Sequence, residues 1–151
     1  MANNQRTLKN EYKFIGKGLH SGLGVTMILK PAPVNTGIRF HRKDLGENAI
    51  IEALVDYVTY TQRSTTLEKD NIKIVTLEHL MATFYALGVD NALVEIDTFE
   101  VPILDGSALP YINAICADGL QEQDAPRRYY NLKESISYTD PKSGSSITLT
   151  P

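Results

Sequence analysis

A stripe of apolar side chains between Leu77 and Leu87 constrains the fold of this chain more than any other feature. At about 100° per residue the stripe lies on one side of a helix; it consists of Leu77, Leu80, Met81, Phe84 and Leu87. Gly88 follows at the position where a left-handed residue commonly ends a helix. Such a stripe requires a sheet against which it can be buried.

Alternating runs separated by turn residues predict that sheet. We expect strands at 7–15, 25–30, 37–42, 64–67, 72–74 and 91–97, with an extended stretch at 50–60. A second helix should follow Ser107, which can cap it, and run to about Gly119. This order predicts an α+β fold, a two-layer sandwich in which a mainly antiparallel sheet carries two helices on one face.

Composition limits the setting. The chain has 151 residues, enough for one domain with a real core and too few for two complete ones. A formal net charge of −3 gives no basic surplus for binding nucleic acid, and no apolar run reaches the about 20 residues that span a bilayer. The single cysteine, Cys116, favours the reducing cytoplasm, and its place after Ile115 predicts a buried thiol.

Glu78 and His79 form an acid–imidazole pair at the start of the first helix. Thr76 is the candidate N-cap, so the pair falls in the first turn, where the helix dipole favours an anion. His79 lies nearly opposite the apolar stripe, so core packing does not explain it. A neutral imidazole can bind a metal, and a carboxylate beside it can take a proton from water. On its own, however, the dipeptide is better explained as an exposed pair, because metal sites need three or four ligands.

Two other polar features have structural explanations. Asp105, Gly106 and Ser107 are typical of a turn followed by a helix cap, and the Gly-x-Ser-x-Gly pattern of a nucleophile elbow is absent. His41 alternates outward on its strand with Arg39, so we expect it on the solvated surface.

The end of the chain repeats its beginning. Residues 132–138 echo 8–14, and 148–151 echo 28–31. The second copy is shorter where the first carries its glycine-rich connection, which suggests that this connection serves function. Chance similarity between two β-hairpins is the alternative explanation.

If the repeat is real, the chain is the front part of a protein with two related halves. We then expect a first domain at 1–120, a polar linker at 121–128 and the opening hairpin of a second domain at 129–151.

Six segments, in this order and spacing, resemble the UDP-3-O-acyl-N-acetylglucosamine deacetylase family. They are Gly-Lys-Gly-Leu-His-Ser-Gly at 16–22, Lys-Pro-Ala-Pro at 30–33 with Thr-Gly-Ile at 36–38, Thr-Thr-Leu at 65–67, Thr-Leu-Glu-His-Leu-Met-Ala at 76–82, Leu-Gly-Val-Asp-Asn at 87–91 and Glu-Val-Pro-Ile-Leu-Asp-Gly-Ser-Ala at 100–108. This family comprises the zinc enzymes of the committed step of lipid A synthesis in Gram-negative bacteria. The resemblance extends from about residue 6 to the end of the chain.

The resemblance implies roles for five residues. Glu78 matches the general base, His79 the one zinc ligand of the first half, and His20 a loop histidine near the substrate cleft. Arg63 and Ser64 match the strand edge that faces the zinc, where the resemblance implies that they contact substrate, although their side chains are less apolar than the family pattern suggests.

The resemblance also implies partners. The substrate is a UDP-sugar lipid precursor in the cytoplasm, and the active site lies between two halves of duplicated fold. Two further zinc ligands, a histidine and an aspartate, come from a C-terminal half that residues 1–151 do not include. Residues 1–151 alone are therefore expected to be inactive and to hold Zn²⁺ weakly at best. The alternatives are an RNA-binding module, since the family fold resembles a domain of ribosomal proteins, and a scaffold without catalysis.

Overall fold

Five strands form the main sheet, in a computed structural model that describes residues 4–151. The elements in chain order are β1 (Asn4–Leu8), β2 (Tyr12–Lys17), β3 (Gly24–Pro31), β4 (Ile38–Arg42), β5 (Ile50–Glu52), β6 (Val58–Tyr60), β7 (Thr66–Lys69), β8 (Ile72–Val75), α1 (Glu78–Leu87), β9 (Ala92–Ile96), α2 (Leu109–Asp118), β10 (Leu120–Pro126), β11 (Ile136–Thr139) and β12 (Ser146–Leu149). The sheet order is β2-β3-β9-β4-β5, antiparallel except for the parallel pair β4 and β9. The predicted α+β class is confirmed.

One hydrophobic core joins the sheet to both helices. From α1 it takes Leu80 and Phe84, and from α2 it takes Tyr111 and Ile115, all at most 1% exposed. The sheet contributes alternate residues, which are Val25, Met27, Leu29, Phe40, Ile51, Ala92, Val94 and Ile96. The inward-facing residues, every second one in a strand and every third or fourth in a helix, thus pack together in one layer. The helix end at Gly88, with φ 70° and ψ 44°, is as predicted.

A second, three-stranded sheet in the order β6-β7-β8 leads directly into α1. Its strands pair antiparallel. The amide of Thr76, just after β8, donates to the carbonyl of Thr65, just before β7, at 3.0 Å. The small sheet therefore determines where α1 begins.

Several local predictions were wrong. The expected strand 7–15 is two strands, because Leu8 ends β1 and β2 starts at Tyr12 in the main sheet. Thr76 does not cap α1; it has a left-handed backbone with φ 61°, and its hydroxyl donates elsewhere. Cys116 is exposed, since the neighbouring Ile115 occupies the core position of α2.

His41 also differs from its prediction. It is 5% exposed, and its Nε2 lies 3.1 Å from the carbonyl oxygen of Gly46. The 3₁₀ turn Lys43–Leu45 follows β4 directly, and the chain then turns back at Gly46 toward this side chain. The alternation along β4 predicts that His41 points to solvent, but the loop that follows the strand buries it.

The polar segment at 121–128 is ordered for most of its length. Strand β10 takes up Leu120–Pro126 and pairs antiparallel with β1. Arg127 then forms an ion pair with Asp90, with Nε 2.9 Å from Oδ1. The segment is thus an extended strand as far as Pro126, and the linker at 121–128, like the domain limits at 1–120 and 129–151, stays a prediction.

The final hairpin makes one face of apolar side chains. Ile136 pairs with Leu149 and Tyr138 with Ile147, so these four residues share a face, and all four are exposed. Serine and threonine residues occupy the other face of the hairpin. Among the helices of residues 4–151, none is both long and apolar enough to cross a membrane.

Candidate functional site

A cleft of about 650 Å³ opens beside the three-stranded sheet. His20, Arg63 and Ser64, the three residues predicted to contact substrate, all line it. They come from two segments far apart in sequence: the glycine loop (residues 18–22) and the connection between β6 and β7. Lys73 and Glu68 add one charge of each sign to the same walls.

The connection between β6 and β7 presents its residues in an irregular conformation. Arg63 has φ 67°, a left-handed value that is uncommon for residues other than glycine. Its side chain is exposed, whereas Ser64 beside it is buried. Strained backbone of this kind is found at binding sites more often than elsewhere, which is consistent with a site at this edge.

Glu78 is joined to that edge by a direct hydrogen bond. The backbone amide of Thr65 donates to Glu78 Oε2 at 2.9 Å. Glu78 is the first residue of α1 and is half-buried. The bond directs the carboxylate toward Thr65, which directly follows Arg63 and Ser64 in the chain.

His79 follows Glu78 and is also half-buried. It is not part of the hydrophobic core, to which α1 contributes Leu80 and Phe84 instead. Its backbone carbonyl accepts a hydrogen bond from Thr83 Oγ1 at 2.9 Å. Neither Glu78 nor His79 lines the cleft itself; Glu78 is connected to the cleft wall through its hydrogen bond with Thr65.

Glu100, which the sequence interpretation did not single out, is hydrogen-bonded to the loop that carries His20. It is 0% exposed, and its carboxylate accepts hydrogen bonds from the amides of His20 and Ser21, at 2.9 and 2.8 Å. Thr76 Oγ1 donates to the same carboxylate at 3.0 Å. Burial raises the pKa of Glu100, but the hydrogen bonds from Ser21, His20 and Thr76 outweigh burial and lower that pKa below its ordinary value.

A signal for Glu100 was present in the sequence. The residue is the only charged one in the run Phe-Glu-Val-Pro-Ile-Leu at 99–104. A lone carboxylate in an apolar run is rarely buried without donors around it.

The donor set fits part of a metal site. His79 offers an imidazole outside the core, and Glu78 offers a carboxylate next to it. Within residues 4–151, however, no group of three or more His, Cys, Asp or Glu side chains comes together to hold an ion. Zinc sites use three or four protein ligands, so these residues can supply only a share of one.

Fold and site together define a class: an α+β domain with a helix-borne acid–imidazole pair beside an open cleft. A family model described as "LpxC: UDP-3-O-acyl N-acetylglycosamine deacetylase" matches residues 5–151. The chain belongs to this deacetylase family.

Curated relatives agree with the family match. The chain is 46% identical over 147 residues to the "Bifunctional enzyme LpxC/FabZ" of Porphyromonas gingivalis, covering 97% of this chain and 32% of the relative. It is 49% identical over 132 residues to the UDP-3-O-acyl-N-acetylglucosamine deacetylase of Chromohalobacter salexigens, covering 87% and 44%. With the deacetylase of Methylococcus capsulatus the identity is 44% over 154 residues, covering 97% and 51%. The chain thus spans about a third to a half of the length of these relatives.

Proposed function

We propose that this chain is the first half of a zinc-dependent deacetylase of lipid A biosynthesis. The complete protein would hydrolyse the acetamide of UDP-3-O-(3-hydroxyacyl)-N-acetylglucosamine. Membership of the family supports the reaction. The observation that carries the proposal is the hydrogen bond from Thr65 to Glu78, because it aims an acid at the cleft edge beside His79.

Glu78 is the general base in this proposal. Its carboxylate takes a proton from the water that attacks the acetamide carbonyl carbon, and it later passes that proton to the nitrogen as the C–N bond breaks. The products are acetate and the free amine. The Thr65 amide keeps the carboxylate in one orientation while the proton moves.

His79 would hold the zinc ion together with ligands from outside this chain. Zinc in such a site acts as a Lewis acid toward the carbonyl and the water. One imidazole is too few for a stable site, so residues 1–151 alone should be inactive.

His20, Arg63 and Ser64 are assigned to substrate contacts. All three line the cleft of about 650 Å³ next to Glu78. His20 and Arg63 are exposed, so both remain free to reach a substrate, while Ser64 is buried in the wall. Arg63 can donate several hydrogen bonds to phosphate or sugar oxygens.

The missing half is the chief partner that we propose. The relatives extend well beyond the matched region, and the exposed apolar face of the β11–β12 hairpin is suited to being covered by helices, as the apolar face of the main sheet is here. We therefore infer that residues 129–151 open a second domain of the same type. A cytoplasmic location, which the single cysteine favours, stays a prediction.

No observation favours an RNA-binding or scaffold role. The formal net charge is −3, and nucleic-acid binding relies on a basic surface. The family match likewise offers no support for a module without catalysis.

The test uses the complete reading frame that contains these residues. Glu78→Gln should keep bound zinc and lose deacetylase activity by about 10²- to 10⁴-fold, the usual contribution of a general base. His79→Ala should lose both zinc and activity. Glu134→Gln, an equal charge change at an exposed position, is the control and should match the unsubstituted protein. Full activity in either site variant would refute the proposal.

A further inference from the structure

The buried carboxylate of Glu100 has no part in the proton transfer described above, yet it joins two parts of the site. Its Oε1 accepts from the amide of His20 at 2.9 Å and from the hydroxyl of Thr76 at 3.0 Å. Its Oε2 accepts from the amide of Ser21 at 2.8 Å. His20 and Ser21 belong to the glycine loop, whereas Thr76 lies two residues before Glu78.

The main chain around Glu100 is itself held firmly. The amide of Val75 donates to the carbonyl of Phe99 at 2.8 Å, and the amide of Val101 donates to the carbonyl of Val75 at 3.0 Å. Both bonds attach the residues flanking Glu100 to the last residue of β8. The carboxylate therefore projects from a segment that is hydrogen-bonded to β8 on both sides of Glu100.

The glycine loop packs directly onto this carboxylate. A Cβ atom at Gly18 would lie 2.3 Å from Glu100 Oε2, far inside van der Waals contact. Gly18 is buried and its amide donates to the carbonyl of Leu23 at 3.0 Å, closing the loop. The shape of the loop thus depends on the space that the carboxylate occupies.

The hydrogen bond from Thr76 attaches Glu100 to the turn before α1. Its left-handed backbone, with φ 61°, is an unfavourable conformation for a β-branched residue. The bond from its hydroxyl to Glu100 supports this conformation. The turn that places Glu78 and His79 at the start of α1 is therefore held by the same carboxylate as the His20 loop.

We propose that Glu100 is a positioning residue that sets the place of His20 relative to the Glu78–His79 pair. It acts through three hydrogen bonds to two segments and touches no substrate. A carboxylate is needed because both oxygens accept, whereas a glutamine would turn an N–H₂ group toward one of the donors and leave it unpaired. The catalytic consequence rests on the proposed function; the mechanical coupling does not.

The coupling can be tested on the 151-residue chain by amide hydrogen exchange. Glu100→Gln should speed exchange at His20, Ser21 and Thr76, whose amide donates to the carbonyl of Thr65, by about tenfold or more relative to core amides such as Met27, because the acceptor loses its charge and one of its two accepting oxygens. Thr76→Val, which removes only the hydroxyl donor, should speed exchange at the amide of residue 76 and leave His20 and Ser21 protected. Glu134→Gln should change none of them.

Gly18→Ala provides a second route to the same readout. Its Cβ would push the loop away from Glu100, so His20 and Ser21 should exchange faster while the carboxylate stays charged. This variant serves if Glu100→Gln does not fold. Equal protection of His20 and Ser21 in the variants and the unsubstituted chain, or a uniform increase over the whole core, would overturn the proposal.

The catalytic consequence is tested in the complete protein by a double-mutant cycle. Glu100→Gln should reduce kcat more than it raises KM, with zinc content kept. Adding it to His20→Ala should cause less than about a twofold further loss, because residues that act through one another are not additive. Fully additive losses would show that Glu100 does not act through His20. An inactive unsubstituted protein would refute the proposed function alone and leave the exchange result standing.

Discussion

The carboxylate of Glu78 and the backbone amide of Thr65 lie 2.9 Å apart and form a hydrogen bond that joins α1 to the connection before β7. The carbonyl of Thr65 also accepts a hydrogen bond from the amide of Thr76 at 3.0 Å. Thr65 thus forms hydrogen bonds with a residue before α1 and with the first residue of α1. This arrangement explains how a surface helix can present its first acid in a defined direction.

Removing that acceptor should loosen the cleft edge. We expect Glu78→Ala to destabilise the chain by about 1–2 kcal/mol, because the Thr65 amide loses a charged partner. Glu78→Gln keeps an acceptor oxygen and should cost less than about half of this. Urea unfolding gives the free energies, and Thr65 amide exchange locates the effect. Equal losses in the two variants would contradict the role of this hydrogen bond.

Stability should fall in acid as Glu100 becomes protonated. Its pKa in the folded protein lies below the ordinary value of 4.5, so the folded state favours the ionised form. The stabilising contribution is therefore complete above about pH 4.5 and is lost as the pH falls through the lower folded value. Urea unfolding between about pH 3 and 6 measures the slope.

The control for this pH dependence is a second acid with a lowered pKa. Asp44 accepts hydrogen bonds from Arg42, which hold its pKa below the usual range. Glu100→Gln should flatten the pH slope, and Asp44→Asn should flatten it independently. An unchanged slope in Glu100→Gln would show that the pKa of this carboxyl group does not differ between the folded and unfolded states.

Arg127 should stabilise the junction between β10 and the end of α1. Its guanidinium bonds both oxygens of Asp90 and also reaches the carbonyl of Gly88. Arg127→Ala should destabilise the chain by about 1–3 kcal/mol, the range for charge-assisted bonds in partly buried positions. Arg128→Ala, at an exposed neighbour, should stay within about 0.5 kcal/mol. Similar effects from both substitutions in chemical unfolding would contradict this assignment.

The core face of α1 offers a further matched pair. Phe84 is 1% exposed and Tyr85 is 90% exposed. Phe84→Ala should destabilise by about 3–5 kcal/mol through lost burial and a cavity, whereas Tyr85→Ala should change stability by less than about 0.5 kcal/mol. Thermal and urea unfolding compare them. A small effect at Phe84 would mean that α1 does not pack on the sheet as described.

Elements with strong periodicity could be predicted from the sequence. The stripe of α1, its end at Gly88 and the strand at 92–96 depend on residues within a few positions of each other. Glu78 and His79 were singled out by their place on the predicted helix, and the family resemblance gave them roles. His20, Arg63 and Ser64 came from the resemblance alone, and these three line one cleft.

Local pattern failed where distant segments decide burial. Leu8 and Tyr12 belong to different strands because β1 pairs with β10, more than 110 residues later in the chain. His41 is covered by the following turn, and the hydroxyl of Thr76 donates a hydrogen bond to Glu100 and does not cap the helix. Polar residues at 121–125 form a strand because β1 supplies backbone partners for them.

The amino-acid sequence by itself determined the elements with a strong apolar period, such as α1 and the strand at 92–96, because a periodic apolar face forms wherever the chain can bury it. Only the tertiary structure decided that the polar residues 121–125 form a strand and which polar groups meet. Glu100 binds the amides of His20 and Ser21 from 80 and 79 positions away. A buried charge must find its donors in space, and the distance along the chain carries no information about where they lie.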